Sequence, residues 1–133
     1  MKQAKKTSEA ASPRIEDHLN GKSQTTLDLY QCLITELAAI GLVEAHAAKS
    51  MICLSAGRNF AYVIQLGRNF IDVVIPFKVA YHDNLCFKKI NPVPGSDDFN
   101  HHLRIYSKED FNDEVKAYLS KAYQLAIKSQ TTD

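Results

Sequence analysis

The chain has 133 residues, 45% of them hydrophobic and 23% charged, with a formal net charge of +1 at neutral pH. That length suits one domain with its own core, burying roughly two-thirds of the unfolded surface. The even charge balance excludes a whole-molecule field toward nucleic acid or an anionic membrane, and no run approaches the roughly 18 apolar residues of a spanning helix.

Residues 1 to 22 are rich in Lys, Ser, Ala and Glu and poor in large apolar side chains, so they read as a flexible arm with a weak basic patch at Lys2, Lys5 and Lys6. The start of the chain lacks an apolar segment, which argues against a secretory signal, and a cytoplasmic protein is expected. The domain proper is expected over residues 23 to 129, with a disordered tail at 130 to 133. The first helix is read over residues 26 to 40. Leu27, Tyr30, Ile34 and Leu37 follow the helical period, Leu33 and Ile40 widen the stripe, Thr25 or Thr26 caps the start, and Gly41 ends it.

Five strands follow. The first spans residues 49 to 55, with Ile52 and Leu54 on one face and Met51 and Cys53 on the other. Gly-Arg-Asn-Phe then occurs twice, at 57 to 60 and at 67 to 70, ahead of two apolar runs. The second strand covers 60 to 66, Gly67-Arg68-Asn69 makes a hairpin loop, and the third covers 70 to 77. The third run is apolar on both faces apart from Asp72, which predicts a central strand or one covered on both sides, by a second subunit for instance. Asp72 needs a partner there, since an isolated buried carboxylate is costly. A fourth strand is read over 85 to 91 and a fifth over 99 to 106. The fifth has Phe99, His101, Leu103 and Ile105 on one face and His102, Arg104 and Tyr106 on the other. Ser107 and Asp110 form a capping box for the last helix, with Tyr106 and Phe111 as a hydrophobic staple. Phe111, Val115, Leu119, Ala122 and Leu125 supply its buried stripe as far as Lys128. The sum is α-β-β-β-β-β-α: an α+β two-layer domain, a five-stranded antiparallel sheet with helices on one face.

In their order and spacing, Gly21-Lys22, then GLVEAHAAKSMICL, RNFAYVIQLGRNFIDVVI and HHLRIYSKEDFNDEVKAYLSKAYQLA resemble a bacterial domain-of-unknown-function family. Its members carry names such as hypothetical or predicted transport protein. The resemblance covers about residues 18 to 128 and departs from the family pattern at Leu42, Ser50 and Leu103. It implies a fold and a soluble bacterial protein, and no established activity.

The residues that could carry chemistry are few. Lys22 precedes the first helix, His46 and Lys49 flank the first strand, Arg58 opens the central hairpin, and His102 and Arg104 lie on the fifth strand. Convergence of Lys49, Arg58 and His102 or Arg104 at one sheet edge would suit a small anionic ligand, a carboxylate or phosphate. The competing expectation is structural pairing of Lys49 and Arg58 with Asp72, Glu44 or Asp113. Adjacent strand residues point to opposite faces, so His101 and His102 cannot easily share a metal, and no metal or cofactor is expected. The three cysteines, Cys32, Cys53 and Cys86, show no ligand spacing and read as buried thiols. No GxSxG, HExxH, P-loop or GxGxxG motif is present. A non-enzymatic binding module, self-associating through its sheet, is the first expectation. A nucleic-acid accessory protein using Tyr62, Tyr81, Tyr106, Tyr118, Tyr123, Phe60 and Phe70 as a stacking platform is the second. A small enzyme with a histidine base is the third.

Overall fold

In the computed structural model of the chain, which describes residues 12–129, Gly41 ends the first long helix by a close fit. A Cβ there would collide with the Tyr123 ring of the last helix, so the close approach of that ring depends on a residue without a side chain at this position. The elements in order are α1 (Ile15–Leu19), α2 (Gln24–Ile40), β1 (Glu44–Ala47), β2 (Ile52–Ser55), β3 (Asn59–Gly67), β4 (Phe70–Phe77), β5 (Lys89–Pro92), β6 (Phe99–Ile105), a short 3₁₀ turn (Lys108–Asp110) and α3 (Asp113–Lys128). The class is α+β with an antiparallel sheet and helices at both ends. The sheet has six strands rather than five, in the order β1-β2-β3-β4-β6-β5.

The extra strand is β1. Glu44-Ala45-His46-Ala47 has little strand propensity of its own and is held by pairing with β2 from Glu44↔Ser55 to Ala47↔Ile52. Residues 49–51, expected in a strand, are the turn between the two, where the Ala48 amide donates to the Met51 carbonyl at 2.8 Å. The strand expected over 85 to 91 is displaced to Lys89–Pro92, because Phe87 leaves the chain's surface path and buries in the core. A helix, α1, occupies part of the stretch read as an arm. Its Ile15 and Leu19 pack against the core, and His18 Nε2 lies 2.8 Å from the Ala48 carbonyl oxygen. The basic patch at Lys2, Lys5 and Lys6 and the tail at 130 to 133 lie outside the described residues.

The two Gly-Arg-Asn-Phe repeats open β3 and β4 with different turns. The first places the glycine, Gly57, at φ 87°, and the second places the asparagine, Asn69, at φ 68°. The second turn is tied to α2 by Thr26, whose hydroxyl donates to the Gly67 carbonyl (2.5 Å) and accepts from the Asn69 amide (2.9 Å). Ser23, rather than Thr25 or Thr26, caps α2, accepting from the Thr26 amide.

One face of the sheet meets the helices. Ile52, Leu54, Val63, Ile71, Val73, Ile75, Leu103 and Ile105 form one core with Leu29, Leu33 and Leu37 of α2 and Val115, Leu119 and Ala122 of α3. Leu29 thus belongs to the buried stripe of α2, whereas Leu27 is half-buried. Leu125 of α3 is exposed, correcting its place in the expected stripe. The hydrophobic staple is also not formed: Phe111 is buried, but Tyr106 is exposed and sits against Phe70, their centroids 6.1 Å apart. The opposite face carries one rung across all six strands, His46–Cys53–Tyr62–Val74–His102–Lys89. Cys53 and Val74 are buried within that rung yet lie outside the helix-side core, so the rung lies on the face left uncovered by the described helices.

Candidate functional site

The register separates the cations read from the sequence. Lys49 lies in the β1–β2 turn and Arg58 in the β2–β3 turn, at opposite ends of β2. His102 stands mid-strand on the uncovered face, beside Lys89, and His46 lies on the same rung at the β1 edge. Lys22 sits between α1 and α2. The structure therefore does not bring Lys49, Arg58 and His102 into one cluster. Nor do Lys49 and Arg58 make the anticipated ion pairs among the described residues.

Asp72 does have the partner its burial demands. Arg104, one strand away in register, clamps it through two parallel hydrogen bonds, Nε to Oδ1 at 2.7 Å and Nη2 to Oδ2 at 2.8 Å. The guanidinium also stacks over the Phe70 ring, 4.1 Å from its centroid. The hydrogen bond to Asp72 pushes the Arg104 pKa up, so its charge is fixed. With Nε and Nη2 on Asp72 and the guanidinium face on Phe70, this pair ties β4 to β6.

The two histidines of β6 divide as the strand alternation requires. His101 is fully buried on the helix side. Its Nδ1 lies 2.8 Å from the Phe99 carbonyl and its Nε2 accepts the Tyr81 amide at 3.1 Å, which fixes the neutral Nδ1–H form. Phe77, Tyr81 and Phe87 pack around the ring at 5.1, 5.5 and 4.8 Å between centroids. Burial lowers its pKa. Both ring nitrogens are spent on backbone, so His101 fastens the loop after β4 and has no lone pair to offer a substrate. His102 is half-buried, its pKa lowered by burial first and by the Lys89 charge second.

Among the sequence candidates, Arg58 lines a sizeable cleft. It lies at the end of the sheet where β3 begins and β4 ends, closed on one side by the last turns of α3, and has a volume of about 400 Å³. Its floor and apolar wall are Phe60, Pro76, Phe77, Ala122 and Leu125. Its polar lining includes Arg58, Lys78, Lys128 and the carboxylate of Asp98. Asp98 is held 3.0 Å from Lys78. The Ser129 hydroxyl donates to the Ala126 carbonyl at 2.9 Å, and its amide bonds the Leu125 carbonyl at 3.2 Å. Those bonds occupy carbonyls that a helix end otherwise turns toward the solvent. The sequence reading missed Lys78 and Asp98. They flank the Phe77↔Phe99 pair, and only the β4–β6 pairing, invisible in the sequence, makes them neighbours.

The aromatics expected to form one platform are split. Phe60, Tyr81, Tyr118 and Tyr123 pack with the helix-side core, leaving Tyr62, Phe70 and Tyr106 away from it. The cysteines are distributed too, and burial raises all three thiol pKa values. Cys86, beside Glu114, is pushed up to about 12. No group of three or more His, Cys, Asp or Glu able to hold a metal occurs among the described residues, and no described helix is long and apolar enough to cross a membrane.

No curated protein and no solved structure matches the chain. Residues 15–126 match the family described as Domain of unknown function (DUF5655). That match runs from the start of α1 into the last turns of α3, taking in every strand and the whole cleft except its outermost residues, and the protein belongs to the DUF5655 family.

Proposed function

We propose that the domain is a binding module whose ligand is a small acid with an apolar body, seated in the cleft at the end of the sheet. The observation that carries this reading is the pairing of an apolar floor with an arginine, Arg58, that makes no ion pair among the described residues. Ligand sites combine mostly apolar lining with a few polar groups that set orientation, and about 400 Å³ lies within their usual range. Phe60, Phe77 and Leu125 would take the apolar body. Arg58, with its planar fork of donors, would take the carboxylate or phosphate, and Lys78 would support it while still held by Asp98.

Titration calorimetry with octanoate, octyl phosphate and octanol tests this. Both acids should bind more tightly than the neutral alcohol. Arg58→Ala should weaken the acids by about three- to tenfold, the worth of one exposed charge-assisted contact, and leave octanol unchanged. Leu125→Asp, on the apolar wall, should abolish all three. Absence of heat with every probe, or binding indifferent to both substitutions, would overturn the reading.

A further inference from the structure

The two edges of the sheet are not finished alike. Both edge strands are four residues long. On β5 the sequence is Lys89-Ile90-Asn91-Pro92, preceded by Lys88. A lysine pair and a proline that lacks an amide are the features by which proteins keep a second strand from adding to an edge. On β1 the sequence is Glu44-Ala45-His46-Ala47, without lysine, proline or any shift in its register with β2. Glu44, Ala45 and His46 remain exposed although α1 packs nearby.

The backbone of this edge has a definite polarity. The Ala48 amide donates to the Met51 carbonyl and closes a two-residue turn at Lys49-Ser50. Hydrogen-bonded pairs alternate along an antiparallel ladder, so His46↔Cys53 is the next bonded pair, and Ala45 and Ala47 turn their amides and carbonyls outward. Two outward alanines two residues apart, with no bulky side chain between them on their own face, form an open template for an antiparallel strand.

We infer that β1 pairs with β1 of a second copy of this chain, about a two-fold axis through Ala45, joining the two six-stranded sheets into one. In that register Ala45 meets Ala45 as a hydrogen-bonded pair, and Ala47 meets Val43. Glu44 then stands opposite His46 of the second copy, and His46 opposite its Glu44. That is the non-bonded position, where cross-strand side chains are closest. A carboxylate acceptor thus faces an imidazole donor twice, on the uncovered face. The same residues centred on His46 would set two imidazoles against each other, so the sequence itself selects the register. Leu42, 82% exposed just ahead of β1, comes level with Ala48 of the second copy and gains cover that the single chain does not give it.

Sedimentation velocity on the full chain over a range of concentrations tests the pairing. A dimer growing with concentration is expected, lost in Ala45→Lys, which copies the guard found on β5, and kept in Ile64→Lys, which puts the same charge on an exposed residue of β3. A melting temperature for Ala45→Lys within a degree or two of the parent confirms that the variant is folded. Amide exchange on the unaltered protein gives an independent arm: Ala45 and Ala47 should be protected at high concentration and exchange freely when dilute. The inference is overturned by a monomer at every concentration, or by a dimer that survives Ala45→Lys. It is equally overturned by one that Ile64→Lys destroys, which would place the contact on the sheet face. Protection of Ala45 and Ala47 in dilute protein overturns it as well, because a segment of the same chain would then occupy the edge.

Discussion

His101 is the residue whose chemistry the sequence presents most misleadingly. Beside His102 it looks like half of a reactive pair, yet it is a core side chain satisfied at both nitrogens by backbone. The alternation of a strand was enough to separate the two faces. The Tyr81 amide that occupies Nε2 comes from a loop no periodicity describes. Its burial has a measurable consequence. The fold holds His101 neutral and lowers its pKa, as it does for His102, so the unfolded chain takes up these protons more readily. Stability is then fully present above the ordinary histidine value of about 6.5 and is lost as pH falls below it, by at most about 1.4 kcal/mol per pH unit for each group. Denaturant melts between pH 7.5 and 5 should show that loss, with a shallower slope in His101→Gln, which keeps hydrogen-bonding capacity without a titrating ring. Identical slopes in the two proteins would contradict the assignment.

At the level of elements, the strongly apolar segments were legible and the weak ones were not. The strand expected over 70 to 77 is β4 at the same boundaries, and its Asp72, flagged as needing a partner, has Arg104. By contrast β1 exists because β2 pairs with it, and α1 because Ile15 and Leu19 find the core, so neither had a local signal to read. The joint between α2 and the β3–β4 turn was half visible. Thr25 or Thr26 reads as the helix cap, but the hydroxyl of the fully buried Thr26 is spent on the turn, where it serves Gly67 and Asn69 together. Thr26→Val keeps the shape and removes both bonds. It should cost about 1–2 kcal/mol, seen as a lower urea midpoint with unchanged slope, because a partly buried amide and carbonyl lose their partners. A change below about 0.5 kcal/mol would mean that water replaces the hydroxyl without penalty.

For the whole molecule, the layered α+β plan was readable from helix periods at both ends and strands between, whereas strand order was not. That order decides where candidate residues meet: it joins Lys78 to Asp98 across the β4–β6 pair. Sequence separation between neighbours is the physical reason, since pairing across a long connection leaves no trace in local pattern.

The same strand order bears on how fast the molecule assembles. From β1 to β4 each strand lies beside the next and is reached through a short turn. β6 finds β4 only after residues 78–98 have been laid out, including the β5 that ends up beyond it. Closing that long loop before any pairing rewards it is entropically costly, which makes the β4–β6 seam a late event on the folding path. Chevron measurements should therefore separate two core truncations of otherwise similar kind. Val63→Ala, inside the meander, should slow refolding, and Leu103→Ala, across the seam, should chiefly hasten unfolding. If Leu103→Ala slows refolding as much as Val63→Ala does, the seam forms early and the loop is no obstacle.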